Sequence, residues 1–341
     1  MTQRSGPPPA SPKGTKPILR EMTPPTPAAQ VTCVGECMIE LRERQDGLLS
    51  RGFGGDTLNT AIYLARLGIA VEYVTALGDD AHSEDMLRAW KEEGVGTELV
   101  LRLPGYLPGL YMIQTDTTGE RRFSYWRDRS PVRRLFDLPE TPHIEAALAA
   151  SNVIYLSGIT LSLFHHAARE QLFVTLEAAR AQGGRVVFDS NFRPRGWHDP
   201  EEARASFQRT LSLSDTVLAG VEDFALLDGE GSAKALIARL RRAGVAEAVV
   251  KLQEPGCIVL HGMVETPVPQ PEVVTPRDTT AAGDSFAAAF LAARLSGLPP
   301  EAAACAGHRL ANAVIRHPGA IIPRDAMPID VLRLLTPPET T

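Results

Sequence analysis

Residues 275–295 read TPRDTTAAGDSFAAAFLAARL. A run of small and polar residues from Asp278 to Asp284 gives way, at Ser285 and Phe286, to an alanine- and leucine-rich stretch. The pattern predicts a loop that delivers the N-terminus of a helix. The first N–H groups of a helix have no partner inside it, and the positive end of the macrodipole lies behind them. Small side chains let an anion approach that backbone closely, which is how helix N-termini hold phosphates. A carboxylate at the same spot would repel a phosphate held passively. Asp284 is therefore open to two readings from this stretch: a cap on the helix, or a base that takes a proton from an attacking hydroxyl.

Outward from this junction the chain alternates between apolar strand-like runs and helices. Upstream lie SNVIYLSGI, a helix over 165–182, GGRVVFDSNFRPRGW, a helix in PEEARASFQRTLSLS, DTVLAGVEDFALL, and AKALIARLRRAGVAEAVVKLQEPGCIVL. Downstream a helix is expected over 302–316. Nearer the start, VTCVGECMIEL reads as a buried strand interrupted at Gly35 and Glu36, and RGFGGDTLNTAIYLARLG as a Gly-Gly turn into a helix stopped by Gly68. Asp56 and Asn59 fall on the first turn of that helix, as a cap and a solvated amide or as groups that bond sugar hydroxyls. AVEYVTALGDD is a further strand and SEDMLRAWKEEGV an amphipathic helix. Sustained alternation of this kind implies a mostly parallel sheet covered by helices on both faces.

One segment breaks the alternation. LPGLYMIQTDTTGERRFSYWR reads as strand, turn and strand, with residues 117–119 at the turn and aromatics at Tyr111, Phe123, Tyr125 and Trp126. It is expected to form a small separate sheet that covers the main one. Ligands in open α/β sheets bind beyond the carboxyl ends of the strands. The polar clusters Gly35-Glu36, Gly78-Asp79, 189–193, Glu222-Asp223, Lys251 and 278–284 all fall at such ends.

Composition narrows the function. At 341 residues the chain suffices for one large α/β domain or two smaller ones, and its 44% hydrophobic and 22% charged content is that of a globular protein. A net charge of -6 argues against nucleic acid, which calls for a basic patch, but not against small anionic substrates. No apolar run reaches the length of a membrane span. The four cysteines, Cys33, Cys37, Cys257 and Cys305, lack zinc-ligand spacing and are too few for a disulfide framework. Cys33 and Cys37 are read as buried thiols, which suits a reducing cytoplasm. Neither a dinucleotide fingerprint nor a Walker loop is present, which weighs against an oxidoreductase and a P-loop enzyme.

GGDTLNTAIYLARLG and DTTAAGDSFAAAF resemble the two signature regions of the ribokinase-like (PfkB) carbohydrate kinases. CVGECMIEL, YVTALGDD, the hairpin segment, YLSGITL, NFRPRGW and GAIIPRDAMP extend the resemblance to the branch that phosphorylates the sugar acid 2-keto-3-deoxygluconate. The resemblance covers 31–327. It implies a ribokinase-like domain over 31–335 between a disordered proline-rich tail at 1–30 and a short tail at 336–341, with lid elements around 40–54 and 104–128. It implies an ATP-dependent kinase, with Mg2+, that phosphorylates the 6-hydroxyl of the sugar acid. Asp284 matches the general base, and the amides of Ala281, Ala282, Gly283 and Asp284 match the anion hole. Gly54, Gly55, Asp56 and Asn59 match the loop that grips the sugar, and Tyr111, Tyr125 and Arg127 match lid contacts. Arg193 matches an arginine near the substrate carboxylate and the phosphates of the nucleotide. Asn191, Lys251, Gly256, Gly283 and Asn312 match positions along the nucleotide.

Two arginines suit a sugar acid, because a carboxylate accepts a bidentate guanidinium; Arg127 is otherwise an exposed arginine on a hairpin. Two departures stand out. Ala281 replaces a glycine common in the family, and the Asn-x-x-Glu motif associated with Mg2+ appears as residues 220–223 without its Asn. Asp223 is then the remaining candidate near the metal, which is expected to be held mainly by phosphate oxygens and water. Relatives also associate through their lids, so a homo-oligomer is expected on the resemblance. The rival readings are a kinase of a neutral ketose such as fructose or ribose, and a sugar-binding module without catalysis.

Overall fold

The computed structural model describes residues 29–44, 46–115, 121–229 and 231–335. The residues assigned to the two tails lie outside these, apart from residues 29 and 30, as does the turn expected at 117–119.

The chain begins with β1 (Val31–Val34), β2 (Met38–Glu43), β3 (Leu49–Gly54), α1 (Asp56–Arg66), β4 (Val71–Gly78) and α2 (Ala81–Glu92). There follow β5 (Val95–Gly96), β6 (Val100–Leu103), β7 (Leu110–Thr115) and β8 (Arg121–Trp126). The middle holds α3 (Thr141–Ala149), β9 (Val153–Ser157), α4 (Gly158–Leu163), α5 (His166–Ala181), β10 (Arg185–Asp189), α6 (Pro200–Leu213) and β11 (Thr216–Gly220). It continues with α7 (Val221–Asp228), α8 (Ala233–Arg242), β12 (Glu247–Lys251), β13 (Gly256–His261) and β14 (Val264–Pro269). The last helices are α9 (Ala282–Leu295), α10 (Pro300–Ile315) and α11 (Ile329–Leu335).

The period-2 pattern of each strand decides where its side chains go. In β9, Val153 and Tyr155 enter one core and Ile154 and Leu156 the other. In β10, Val187 faces opposite to Val186 and Phe188, and β11 and β12 repeat the split. Both faces are thus apolar, as a sheet with helices on each side requires. The main sheet runs β14-β13-β12-β11-β10-β9-β1-β4-β5, with β6 also paired to β4. It is parallel from β12 to β4, and β13 and β14 add an antiparallel edge. One core is filled mainly from α1, α9 and α10. Helix α9 is buried nearly all round, with Ala287, Ala288, Ala289, Ala292 and Ala293 fully enclosed, which accounts for its run of small residues.

The separate cover is a four-stranded sheet in the order β3-β2-β7-β8. VTCVGECMIEL therefore does not form one interrupted strand. It divides at Gly35 and Glu36 into β1 of the main sheet and β2 of the lid, and β2 pairs with β7 in parallel. The cover has its own small core of Met38, Tyr111 and Ile113 with Phe123 against them. Cys33 and Cys37 are buried free thiols, as expected; Cys257 is buried as well, and it and Cys305 are also free. No described helix is long and apolar enough to cross a membrane.

Candidate active site

The carboxyl ends of β10, β11 and β12, the start of α1, the loop before α9 and the underside of the lid enclose a cavity of about 620 Å³. Gly54, Gly55, Asp56, Asn59, Tyr111 and Tyr125 line it from the lid and the start of α1, together with Asp189, Asn191, Arg193, Asp223, Lys251 and 279–284 from the strand ends and the loop before α9. It adjoins a wider space of about 1250 Å³ that shares Gly55, Asp56, Tyr125 and Arg193 and adds Glu36, Arg127 and Arg133. Gly55 is required by close approach: a Cβ there would collide with the Glu36 carbonyl.

The structure rejects the capping reading of Asp284. The N-cap of α9 is Ala281, no side chain caps it, and Asp284 is the third residue of the helix. Asn59 is not solvated either: it is buried, and its Nδ2 donates to Asp284 Oδ2 at 2.8 Å. Burial pushes the Asp284 carboxyl well above its ordinary range, nearby Asp56 and Asp189 add to the shift, and the Asn59 bond and Lys251 oppose it. A carboxylate so placed holds a proton more readily than a surface aspartate. Asp56 does not cap α1, whose N-cap is Gly55 without a side-chain bond; Asp56 Oδ2 accepts from Asn191 Nδ2 at 2.7 Å.

Around the α9 N-terminus, Ala281 adopts the left-handed conformation (φ 60°, ψ 16°) that glycine favours. At Gly283 an added Cβ would meet nothing nearer than Lys251 Nζ at 3.9 Å, so the backbone there opens onto the cavity. Lys251 Nζ donates to buried Asp189 Oδ1 at 2.9 Å. Burial works against the lysine's charge, but Asp189 and Asp223 outweigh it and raise its pKa, so a cation faces the same space.

Asp223 is engaged within the chain. It accepts from Ser190 Oγ at 2.5 Å and from the Phe192 N–H at 3.2 Å, and Arg193 Nη1 lies 3.5 Å away. Among the described residues, no group of three or more His, Cys, Asp or Glu is arranged to hold a metal ion. This donor set fits a Mg2+ that arrives on nucleotide phosphates and keeps its water, not one caged by protein.

The expected lid residues are brought in, with partners that local sequence did not disclose. Tyr111 donates its hydroxyl to Glu40. Arg127 is not an exposed hairpin arginine: it forms an ion pair with buried Glu36. Neither Glu36 oxygen has a hydrogen bond of good geometry among the described residues, nor do Arg127 Nε and Nη2. Arg193 is more than half exposed at the rim. Gly256 and Asn312 do not line the cavity; Asn312 is buried, accepting from Gln270 and donating to the Glu272 carbonyl at 2.7 Å. Gly78 and Asp79 end β4 away from the cavity, where Asp79 Oδ1 accepts from the Gly105 N–H at 2.9 Å. Glu36 belongs to a polar cluster already expected at a strand end, whereas Glu40 and the pairing of Glu36 with Arg127 emerge only from these tertiary contacts.

The family model for pfkB family carbohydrate kinases matches residues 28–327. The chain is 44% identical over 308 residues to a 2-dehydro-3-deoxygluconokinase of Dickeya dadantii, covering 87% of this chain and 98% of that protein. A solved PfkB protein from Polaromonas superposes with a TM-score of 0.75 at 26% identity, over 85% of this chain and 96% of that one. A putative ribokinase II of Escherichia coli, solved with ATP and Mg2+, shares the fold with a TM-score of 0.77 at 20% identity, over 90% and 99% of the two chains. The chain therefore belongs to the pfkB family of carbohydrate kinases and is an ATP-dependent sugar kinase.

Proposed function

We propose that this kinase transfers the γ-phosphoryl group of ATP to the 6-hydroxyl of 2-keto-3-deoxy-D-gluconate. The observation that carries the chemistry is Asp284, a buried carboxylate held by Asn59 on the first turn of α9 inside the cavity beneath the lid. Its raised proton affinity lets it take the hydroxyl proton as the oxygen attacks phosphorus, and positioning supplies most of the remainder in phosphoryl transfer. Residues 281–284 and the Lys251 ammonium line the space where negative charge would develop; the Ala282 N–H donates to the Thr279 carbonyl at 3.3 Å, so stabilisation of that charge falls to the rest of the helix N-terminus and to the lysine. Mg2+, bound with the nucleotide, would supply charge neutralisation at the phosphates, with Asp223 the nearest candidate to its water shell. Asn191 holds Asp56 toward the sugar side, and the lid with Tyr111 and Tyr125 would exclude water.

The sugar acid is supported by the similarity to a 2-dehydro-3-deoxygluconokinase and by two arginines, Arg127 and Arg193, beside the cavity. One observation favours a neutral ketose instead: Arg127 is already paired with Glu36, so part of its charge is taken. A coupled ADP-release assay across sugar acids and ketoses decides between them. Arg127→Ala should weaken turnover of the sugar acid far more than that of a ketose. Asp284→Ala should fold and lose about 10²–10⁴-fold in kcat; near-normal turnover would sink the assignment of the base.

A further inference from the structure

Arg42 sits on β2 of the lid, yet its guanidinium reaches the loop before α9. Its Nη1 donates to Asp278 Oδ2 at 3.1 Å, across 236 residues of sequence. Its Nη2 donates to Glu40 Oε1 at 3.3 Å, and the other oxygen of Glu40 accepts the Tyr111 hydroxyl. On the loop side, buried Asp278 accepts the Thr280 N–H at Oδ1 and the Gly319 N–H at Oδ2, both at 2.9 Å. A continuous chain of polar contacts therefore runs from Tyr111, which lines the sugar end of the cavity, to the backbone that presents Ala281 and the α9 N-terminus.

We propose that Arg42 is a positioning residue that couples the lid to the phosphoryl-binding loop, so that sugar held under the lid tightens nucleotide binding at α9. The inference rests on α9 being the phosphoryl-binding end. Arginine suits the role because its planar fork bridges two carboxylates at once, whereas a lysine ammonium is a single point charge. No atom of Arg42 lines the cavity, so it acts through Glu40 and Asp278 and not on substrate.

The test measures coupling between the two ligands. Calorimetric titration of the full chain with a non-hydrolysable ATP analogue and Mg2+ is run with and without the sugar that gives turnover in the ADP-release panel. In the parent protein the sugar should tighten the analogue about fivefold or more, the lower end of usual coupling. Arg42→Ala should reduce that factor to within about twofold, while the affinity for each ligand alone changes little. A structural role alone would weaken both ligands or the fold and leave their ratio intact. Arg42→Lys should keep an intermediate factor, and it replaces the alanine variant if that one fails to fold. Coupling that survives undiminished in the variants, or that is absent from the parent, overturns the proposal. Because the sugar is chosen by turnover, an error over the sugar acid alters only the titrant. An error over α9 shows separately, as turnover retained in Asp284→Ala.

Discussion

At Asp284, one cause has consequences for both activity and stability. Its pKa is raised, chiefly by burial and then by Asp56. A base works only when deprotonated, so kcat/KM should fall with decreasing pH through a value above the ordinary aspartate range; a pH–rate profile with an acid limb near 4 would contradict this. For stability, a pKa higher in the folded than in the unfolded chain means that stability is full below the unfolded value and is lost as pH rises through the folded one. Wherever the group is ionised in the folded chain it therefore opposes folding. Asp284→Asn keeps an oxygen for the Asn59 bond and should raise the unfolding free energy at pH 7 while abolishing turnover. Thermal melts at pH 7 and pH 4 should show the gain shrinking at the lower pH. Asp284 could be singled out in the sequence because its small-residue surroundings are local. Glu40 and Arg42 could not, because their roles depend on Tyr111 and on a partner as distant as Asp278; Glu36 could be marked at a strand end, but its pairing with Arg127 could not.

Among the elements, those with a clear period were legible and those fixed by a single contact were not. The helix–strand alternation from β9 to β12 follows from apolar patterning alone. The division between β1 and β2 does not, because VTCVGECMIEL is apolar on both sides of Gly35; there a Cβ would strike Thr57, which fixes where the chain turns out of the main sheet. The strand read as SNVIYLSGI runs on to residue 159, whereas β9 ends at Ser157 and α4 begins at Gly158. A capping box, with the Thr160 N–H donating to Ser157 Oγ at 3.2 Å and the Ser157 N–H to Thr160 Oγ1 at 3.2 Å, ends the strand instead. Helix α9 carries its own test of strain. Ala281 holds a left-handed conformation that costs an L-residue roughly 1–2 kcal/mol, part of which glycine would give back through chain entropy. Ala281→Gly should therefore raise stability by up to about 1 kcal/mol by denaturant unfolding. The packing of α9 on α10 gives the opposite sign. A Cβ at Gly307 would lie 2.8 Å from the Phe286 ring, so Gly307→Ala should cost about 1–3 kcal/mol.

The whole molecule is a rigid platform with a thinner cover. Two extensive cores clamp the main sheet from either side, whereas the lid's own cluster is only Met38, Tyr111, Ile113 and Phe123, with Ile39, Leu41, Phe53 and Leu110 packing against the larger core. Strand β3 pairs only with β2 among the described residues, and its residues Leu49 to Gly52 are exposed. Opening free energies follow buried apolar contact and local hydrogen bonding, so the lid should sample open states that the central strands do not. Amide hydrogen exchange followed by mass spectrometry should find β3 and β8 exchanging at free energies at least about 2 kcal/mol below those of β9, β10 and β11. Adding sugar together with a non-hydrolysable ATP analogue should protect β2, β3 and β7 more than the main sheet, because the bound ligands bridge the lid to α1 and the loop before α9. Arg42→Ala should blunt this gain in β2 specifically, since Arg42 supplies the polar tie from that strand to Asp278. Lid amides as protected as those of β10 in the free protein would show instead that cover and platform open as one unit.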